Sequence, residues 1–312
     1  MNNYSFENYI RTCSVDFIYL LLYGVGAYYV IIDKISLSTL IIFQSFISYF
    51  ISSYSNIFNV FSSYSNYKIS LDRLDELFMI NLEDFKNNYF YLPYILNGDI
   101  IFKNLNYKIG PKYIFNNLNL TIKYGEKVLL SGGSGTGKST LMKMLLRYIE
   151  VEFDHIKIAG IDINHYHLQN IRNNITYVSA NEFLFNDTIK NNITLYKEYS
   201  EEEINKVIDI CLVNEVISNN MGIDSMIEEN GFNLSNGERQ RIILARSIIK
   251  KSSIYIFDEA LGQIDIDKEK KILQNIFKYF NDKTIIVISH RFNNKKLFDR
   301  VLKLEDGVII EK

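Results

Sequence analysis

The segment GGSGTGKST, residues 132–140, constrains the fold of this chain more than any other feature. It follows the apolar run KVLLS and precedes STLMKMLLRYI, in which apolar residues recur at helical spacing. A glycine-rich turn between a strand and a helix points backbone N–H groups inward, where they surround phosphate oxygens. The segment therefore predicts a phosphate-binding loop in a strand–loop–helix unit.

Further strand-like runs alternate with helical patterns from about residue 99 onward. The predicted strands are IIFKNLNYKI, IFNNLNLTI, KVLLSG, SSIYIFDEA and KTIIVISH. Strands separated by helices are typical of a parallel sheet covered by helices. Residues 99–312 are therefore predicted to form an α/β domain.

The strand IYIFDEA, residues 254–260, ends in two carboxylates. An open parallel sheet binds ligands at the carboxyl ends of its strands, so Asp258 is predicted to hold Mg²⁺ and Glu259 to accept a proton from the attacking water. Lys138 would reach the β and γ phosphates of a nucleoside triphosphate, and Ser139 would bind Mg²⁺. Adjacent acids at a strand end are otherwise ordinary turn residues, and the phosphate loop decides between the two interpretations. The predicted cofactors are ATP and Mg²⁺, and the loop residues predicted to bind nucleotide are Gly132, Gly133, Ser134, Gly135, Thr136, Gly137, Lys138, Ser139 and Thr140.

The first part of the chain is of a different kind. Residues 15–32 are nearly uncharged, residues 39–61 carry no charge, and the polar link DKISLS joins them. Each run has about the length that a helix needs to cross a bilayer, which predicts a transmembrane hairpin over residues 1–66. Residues 67–98 are predicted to hold a connecting helix, KISLDRLDELFM, and a linker. Polar residues of the second run, such as Gln44 and Ser48, indicate either helix packing or contact with a transported substrate.

Composition excludes several other functions. The formal net charge of −2 provides no broad basic face, so no nucleic-acid partner is expected. Cys13 and Cys211 lack metal-ligand spacing. His155, His165 and His167 fall in polar segments and are interpreted as surface residues.

The segment LSNGERQ, residues 234–240, resembles the LSGGQ signature of the ATP-binding cassette (ABC) family. The resemblance implies that two cassettes enclose two ATP molecules head to tail, with the signature of one cassette facing the γ-phosphate held by the other. His290 resembles the family's switch histidine, which contacts the γ-phosphate and helps to position the water. The implied signature residues are Leu234, Ser235, Asn236, Gly237 and Glu238, and the implied catalytic residues are Glu259 and His290.

The hairpin and the connecting helix resemble the last two membrane helices of an ABC exporter. The resemblance implies a multi-pass protein of the cell membrane, bacterial, with its cassette in the cytoplasm. The implied partners are a second cassette, membrane lipid and additional transmembrane helices or a membrane subunit. The cassette is most similar to those of peptide and bacteriocin exporters, which predicts a peptide substrate.

The chain departs from the family pattern at several positions. Ala180, in ITYVSAN, stands where the family has a glutamine that binds Mg²⁺ and the water. Asn236 replaces a signature glycine, and Gly262 replaces a serine. Ile109 stands where an adenine-stacking tyrosine is usual.

These departures leave some assignments open. Tyr107 is the better candidate for stacking on adenine, with Tyr113 in reserve; Tyr107 is equally consistent with a core residue. Three functions remain: an export ATPase, a regulatory subunit that binds ATP without hydrolysing it, and a truncated gene product.

Overall fold

The computed structural model describes residues 2–79, 97–219, 222–291 and 294–311. The chain divides into two compact units, Met1–Glu83 and Asp84–Lys312. Most of the predicted linker before the α/β domain, residues 80–96, lies outside the described residues.

The first unit is a hairpin of two long helices, α1 (Asn2–Ile31) and α2 (Leu37–Phe78). The Ser36 side chain caps α2 by accepting a hydrogen bond from the backbone N–H of Thr39 at 3.2 Å. The hydroxyl groups of Tyr19 and Ser48 join the two helices at 2.8 Å. No glycine or proline interrupts residues 37–78, so the connecting helix predicted at 68–79 is the last part of α2. The predicted boundary at residue 66 therefore falls inside a continuous helix.

Both helices are long and apolar enough to cross a membrane, over Thr12–Ile31 and Leu37–Ile57. Only 6% of each of these windows is buried, whereas a core helix of a soluble domain would be mostly buried. The hairpin therefore exposes apolar side chains along most of its length, in agreement with the predicted transmembrane hairpin.

The second unit contains a four-stranded and a six-stranded sheet. The strands of the smaller sheet run in the order β2-β1-β4-β5 and are antiparallel. The larger sheet has the order β10-β9-β3-β8-β7-β6, and its strands are parallel except for β10. The strands are β1 (Ile100–Ile109), β2 (Lys112–Ile122), β3 (Lys127–Ser131), β4 (Ile156–Ile158), β5 (Ile161–Asp162), β6 (Ile175–Ser179), β7 (Ile254–Asp258), β8 (Thr284–Ile288), β9 (Arg300–Glu305) and β10 (Val308–Glu311).

Helices cover the larger sheet and form a helical region between β6 and β7. They are α3 (Lys138–Leu145), α4 (Leu168–Asn174), α5 (Ile189–Thr194), α6 (Glu201–Ile210), α7 (Asn214–Asn219), α8 (Asn236–Ile248) and α9 (Ile266–Tyr279). The structure confirms the predicted α/β domain. The first two predicted strands, β1 and β2, do not join the parallel sheet, because the short turn at residues 110–111 lets them pair antiparallel in the smaller sheet. The mixed sheet core with a helical subdomain agrees with the phosphate-loop NTPase fold that the resemblance to the ABC family implies.

The apolar strands of the larger sheet are buried on both faces. In β7, Ile254 and Ile256 join one core cluster, while Tyr255 and Phe257 join the other. A strand covered on both faces needs a continuous apolar run, which explains the sequence IYIF before the first carboxylate. The end of β7 is thus fixed from both sides.

Lys127 begins β3 and fixes the entry of this strand into the sheet. Its side chain is 7% exposed. Its Nζ donates hydrogen bonds to the carbonyl oxygens of Gly125, Asn281 and Lys283 at 2.7, 2.7 and 3.0 Å. Burial lowers the pKa of this ammonium group, an effect that Asp299 and Asp282 oppose. The loop before β8 is thereby tied to the strand that leads into the phosphate loop.

Replacing Lys127 tests this anchor. Lys127→Met keeps an aliphatic stem but leaves three carbonyl groups without their donor, so we expect the free energy of unfolding to fall by about 2 kcal/mol. Thermal unfolding of the full chain in detergent measures the change, with exposed Lys123→Met as the matched control. Equal unfolding temperatures for the two variants would contradict the anchoring role.

Candidate nucleotide-binding site

The predicted phosphate loop connects β3 to α3, as the sequence indicates. Gly137 has a φ of 102°, in the left-handed region that favours glycine. A Cβ atom there would lie 2.5 Å from Cγ2 of Ile114 and 2.9 Å from Cε1 of Phe115. The loop therefore presses against β2 at a point where only glycine fits, while Gly133, Ser134 and Gly135 are exposed. Its outer face is open to a ligand.

Lys138 opens α3 and is 5% exposed. Its Nζ donates hydrogen bonds to the carbonyl oxygens of Gly132 and Gly133 at 3.0 and 2.7 Å. Burial lowers the pKa of the ammonium group, and the nearby carboxylates of Glu259 and Asp258 oppose this shift. A buried positive charge on a glycine-rich loop suits a phosphate group, and the following residues Ser139 and Thr140 lie half-buried in the first turn of the helix.

Asp258 ends β7 and is 6% exposed. The phenolic hydroxyl of Tyr177, on the neighbouring strand β6, donates a hydrogen bond to Asp258 Oδ2 at 2.7 Å. Burial of Tyr177 and its bond to Asp258 both raise the pKa of this phenol, which keeps it a donor. Sequence patterns do not single out Tyr177, because its contact with Asp258 depends on the pairing of β6 with β7.

Glu259 has a φ of 55°, which is uncommon for a residue other than glycine. Its backbone N–H donates to the carbonyl of Ile288, and the N–H of Gly262 donates to the carbonyl of Glu259, both at 3.0 Å. These two bonds hold the left-handed conformation. Backbone strain of this kind persists where the surroundings fix it, and it is concentrated at functional sites.

His290 lies two residues beyond β8, which pairs with β7 in parallel register. Its Nε2 is 2.7 Å from Glu259 Oε1, and both side chains are about half exposed. The structure thus brings together the two residues predicted to be catalytic. They share the edge of the sheet at which β3 enters the phosphate loop.

The loop after Glu259, residues 260–265, is held by residues that the sequence analysis did not single out. The backbone N–H of Gln263 donates to Gln240 Oε1 at 2.9 Å. Nη1 of Arg291, which follows His290, donates to the carbonyl of Ile264 at 2.8 Å. A Cβ on Gly237 would lie 3.3 Å from the carbonyl oxygen of Gln263. The predicted signature segment therefore packs closely on the loop that starts from the predicted catalytic base.

The signature residues form the start of α8. Ser235 and Glu238 make a capping box: the Ser235 side chain accepts from the N–H of Glu238, and Glu238 Oε2 accepts from the Ser235 N–H and Oγ at 2.9 and 2.7 Å. Burial would raise the pKa of Glu238, but the bonds from Ser235 lower it. Arg239 hydrogen-bonds to the Asn236 side chain, and Leu234 is buried. Ser235 and Asn236 are exposed, and the contacts described for these residues are not to the phosphate loop of their own chain.

The two tyrosines predicted as adenine contacts, Tyr107 and Tyr113, lie in different environments. Tyr107 is half-buried against the core, with its ring centroid 6.3 Å from that of Phe115. Ile109 and Tyr113 are 57% and 53% exposed, and the Lys108 ammonium lies 4.0 Å from the centre of the Tyr113 ring. Tyr107 therefore packs as a core residue would, which was one of the two interpretations of its position.

Ala180 follows β6 directly, and the register that pairs Ser179 with Asp258 places it beside the two carboxylates. Its methyl group offers no hydrogen bond. Asn181 is exposed, and both residues lie in a turn rather than in extended backbone.

The residues present fit a hard divalent cation beside phosphate. Asp258 supplies a buried carboxylate and Ser139 a hydroxyl, which are oxygen donors of the kind that Mg²⁺ prefers. Elsewhere in the described part of the chain, no cluster of three or more His, Cys, Asp or Glu residues is placed to hold a metal. His167 instead caps α4, where its Nδ1 accepts from the N–H of Gln169 at 3.3 Å.

Removing the Lys138 charge tests the phosphate loop. Lys138→Ala deletes a charge-assisted contact of about 1.5 to 3 kcal/mol, so we expect the affinity for MgATP to fall by at least tenfold. Equilibrium binding of a fluorescent ATP analogue measures the change. Lys143→Ala, an exposed lysine on the same helix, is the matched control; equal affinities for the two variants would mean that the loop is not the binding site.

Comparisons with known proteins agree with this geometry. A sequence model described as "ABC transporter" matches residues 115–262, from within β2 into the loop after Glu259. The structure of a bacterial Atm1-family ABC exporter with ATP bound superposes with a TM-score of 0.72 and 26% identity, over 89% of this chain and 50% of that chain.

Curated relatives include lipid A-core flippases, which are described as ATP-dependent. That of Vibrio vulnificus (strain CMCP6) is 34% identical over 239 residues, which cover 75% of this chain and 41% of the relative. That of Photorhabdus laumondii is 38% identical over 221 residues, which cover 69% of this chain and 38% of the relative. The chain thus spans about two fifths of the length of these relatives. The match to the family model, over residues 115–262, includes the phosphate loop, the paired carboxylates and the signature segment. The chain carries the ATP-binding cassette of the ABC transporter family.

Proposed function

We propose that this chain binds and hydrolyses MgATP as the energy-providing part of an ABC exporter. The observation that carries the proposal is the contact between His290 Nε2 and Glu259 Oε1, at 2.7 Å, beside Asp258 and the buried Lys138. A binding loop alone needs no such pair. A carboxylate paired with a histidine at the end of a parallel sheet suits the activation of water.

Each residue has a distinct part in the proposed reaction. Lys138 and the loop N–H groups bind the phosphate oxygens and orient the γ-phosphate. Asp258 and Ser139 would hold Mg²⁺, which neutralises phosphate charge when it is bound. Glu259 accepts the proton of the attacking water, and His290 fixes the carboxylate and donates toward the phosphate. The left-handed backbone of Glu259 aims this side chain before nucleotide arrives.

We propose that the working form is a sandwich of two cassettes. Ser235 and Asn236 are exposed at the start of a helix, although their family role is to contact γ-phosphate. A helix N-terminus is favourable for a phosphate group, and the group that satisfies it would come from a second cassette. Whether that cassette belongs to an identical or a different chain, the same surface is used.

A nucleotide-binding subunit without hydrolysis is the second candidate. Ala180 favours it, because no polar side chain from this position reaches the water or the cation. The intact set of Lys138, Asp258, Glu259 and His290 favours hydrolysis instead. We therefore place the chain among active ATPases whose turnover is reduced by Ala180.

We further propose that residues 1–66 lie in a cell membrane, with the cassette in the cytoplasm of a bacterium. The exposed apolar length of α1 and α2 supports this location. Two helices cannot enclose a transport path, so additional transmembrane helices or a membrane subunit would complete it. Residues 67–98 then connect the two parts of the chain.

The transported substrate is proposed from the relatives alone. The relatives named above are lipid flippases, and they give no support to the peptide or bacteriocin predicted from the sequence. We propose an amphiphilic lipid as the substrate. Stimulation of ATP hydrolysis in the complete assembly by a lipid A-type glycolipid, and not by synthetic peptides, supports this proposal, and the reverse contradicts it.

Removing the proposed base tests hydrolysis directly. Glu259→Gln keeps the shape of the side chain but not its basicity, so we expect ATP binding to persist while turnover falls by about 10²-fold or more. The variant should also accumulate as an ATP-dependent dimer, measured by light scattering. Glu152→Gln, at a carboxylate that is 93% exposed, is the control. Equal turnover in the native chain and in Glu259→Gln would contradict hydrolysis by this chain and would support the second candidate, a subunit that only binds nucleotide.

Restoring a carboxamide tests the effect of Ala180. Ala180→Gln adds a donor and an acceptor beside Asp258 and Glu259, so we expect turnover to rise severalfold. Steady-state phosphate release measures the change, and Asn181→Gln, one residue further on, is the matched control. A rise that is equal in both variants, or absent from Ala180→Gln, would contradict the role given to Ala180.

A further inference from the structure

We propose that Tyr177 is a positioning residue that holds the Asp258 carboxylate for the divalent cation of bound ATP. The inference rests on the proposed function, because that function assigns the cation to Asp258. It adds a residue that neither the phosphate loop, the signature nor the catalytic pair includes.

The sheet determines which side chain can reach Asp258. In the parallel pair of β6 and β7, Tyr177 lies opposite Ile256, and Ser179 lies opposite Asp258. Residues that pair, and those two positions further on, share one face of a sheet, so Tyr177 and Asp258 point the same way. The phenol spans the remaining step along the strand, and its hydroxyl donates to Asp258 Oδ2 at 2.7 Å.

This bond restricts the Asp258 carboxylate. The side chain is 6% exposed, so bulk water contributes little to its orientation. A carboxylate with one oxygen bound by a fixed donor loses most of its freedom to rotate and presents its other oxygen in one direction. Groups that orient a metal ligand in this way typically change metal affinity or activity by about 10- to 100-fold when they are removed.

The segment that follows β6 lacks the glutamine that the ABC family has near the cation. Ala180, the residue after β6, contributes only a methyl group. The strand next to the carboxylates therefore supplies its polar contact to Asp258 from Tyr177, three positions earlier. Tyr177 therefore orients Asp258 without a polar side chain at position 180 beside it.

Tyr177 can be tested without disturbing its packing. Its ring lines a groove with Leu146, Tyr148 and Arg172, and a phenylalanine ring fills the same space. Tyr177→Phe therefore removes the hydroxyl alone. Tyr166→Phe is the matched control, because Tyr166 is 2% exposed and its hydroxyl donates to the carbonyl of Ile158, in the smaller sheet, at 2.8 Å.

The experiment measures how strongly the cation and the nucleotide assist each other. The full chain in detergent is titrated with adenylyl imidodiphosphate, once in EDTA and once in Mn²⁺. The ratio of the Kd in EDTA to the Kd in Mn²⁺ is then compared among variants. We expect Tyr177→Phe to lower this ratio by about tenfold while leaving the Kd in EDTA unchanged. Tyr166→Phe should alter neither value, and thermal unfolding in EDTA should be alike in both variants.

The Asp258→Asn variant distinguishes the positioning role of Tyr177 from the binding of the cation by Asp258. If the ratio falls in Asp258→Asn but is the same in Tyr177→Phe as in Tyr166→Phe, the positioning role is wrong and the proposed function stands. If Asp258→Asn keeps the full ratio, Asp258 does not hold the cation, and both the metal assignment and this inference fall. A loss of affinity in EDTA for Tyr177→Phe would show a structural role instead and would also overturn the inference.

Discussion

The parallel pairing of β6, β7, β8 and β3 is the constraint on which the candidate site depends. Hydrogen bonds between these strands fix their register, so the carboxyl ends of four separate segments meet at one edge. Asp258, His290 and the phosphate loop are far apart along the chain and come together only because of this pairing. Burial of β7 on both faces then prevents its two terminal carboxylates from shifting along the sheet.

The sequence predicted those parts of the site that local chemistry requires. A loop that must surround phosphate needs glycine at Gly137, where φ is 102°, and such a need is visible in the sequence. The strands were likewise visible, since IYIF and TIIVI are covered on both faces. Tyr177 was missed because its function depends on the register with β7, and Gln240 was missed because it acts through the backbone of Gln263. The connecting helix was predicted as a separate element because charge, rather than any helix-breaking residue, separates it from the membrane span.

The loop after Glu259 connects the predicted catalytic pair, Glu259 and His290, with the signature segment of the same cassette. Arg291 holds this loop from the side of His290, and Gln240 holds it from the side of the signature helix, where Gly237 lets the two backbones lie close together. The Glu259 backbone already lies in a strained region. A change in its conformation would therefore shift the signature helix at Ser235 through a few close contacts. In a sandwich of two cassettes, those contacts would lie between one ATP and the other.

The sequence of the cassette predicts which nucleotide binds, but it does not predict which molecule is transported. Triphosphate chemistry fixes the residue types at Lys138, Asp258 and Glu259, whatever the transporter moves. A transported molecule would contact membrane helices instead. The polar side chains of α2, such as Ser48 bonded to Tyr19, can be satisfied within the hairpin itself. The family match over residues 115–262 therefore supports ATP hydrolysis strongly. It leaves the transported molecule to be determined by the helices that surround it.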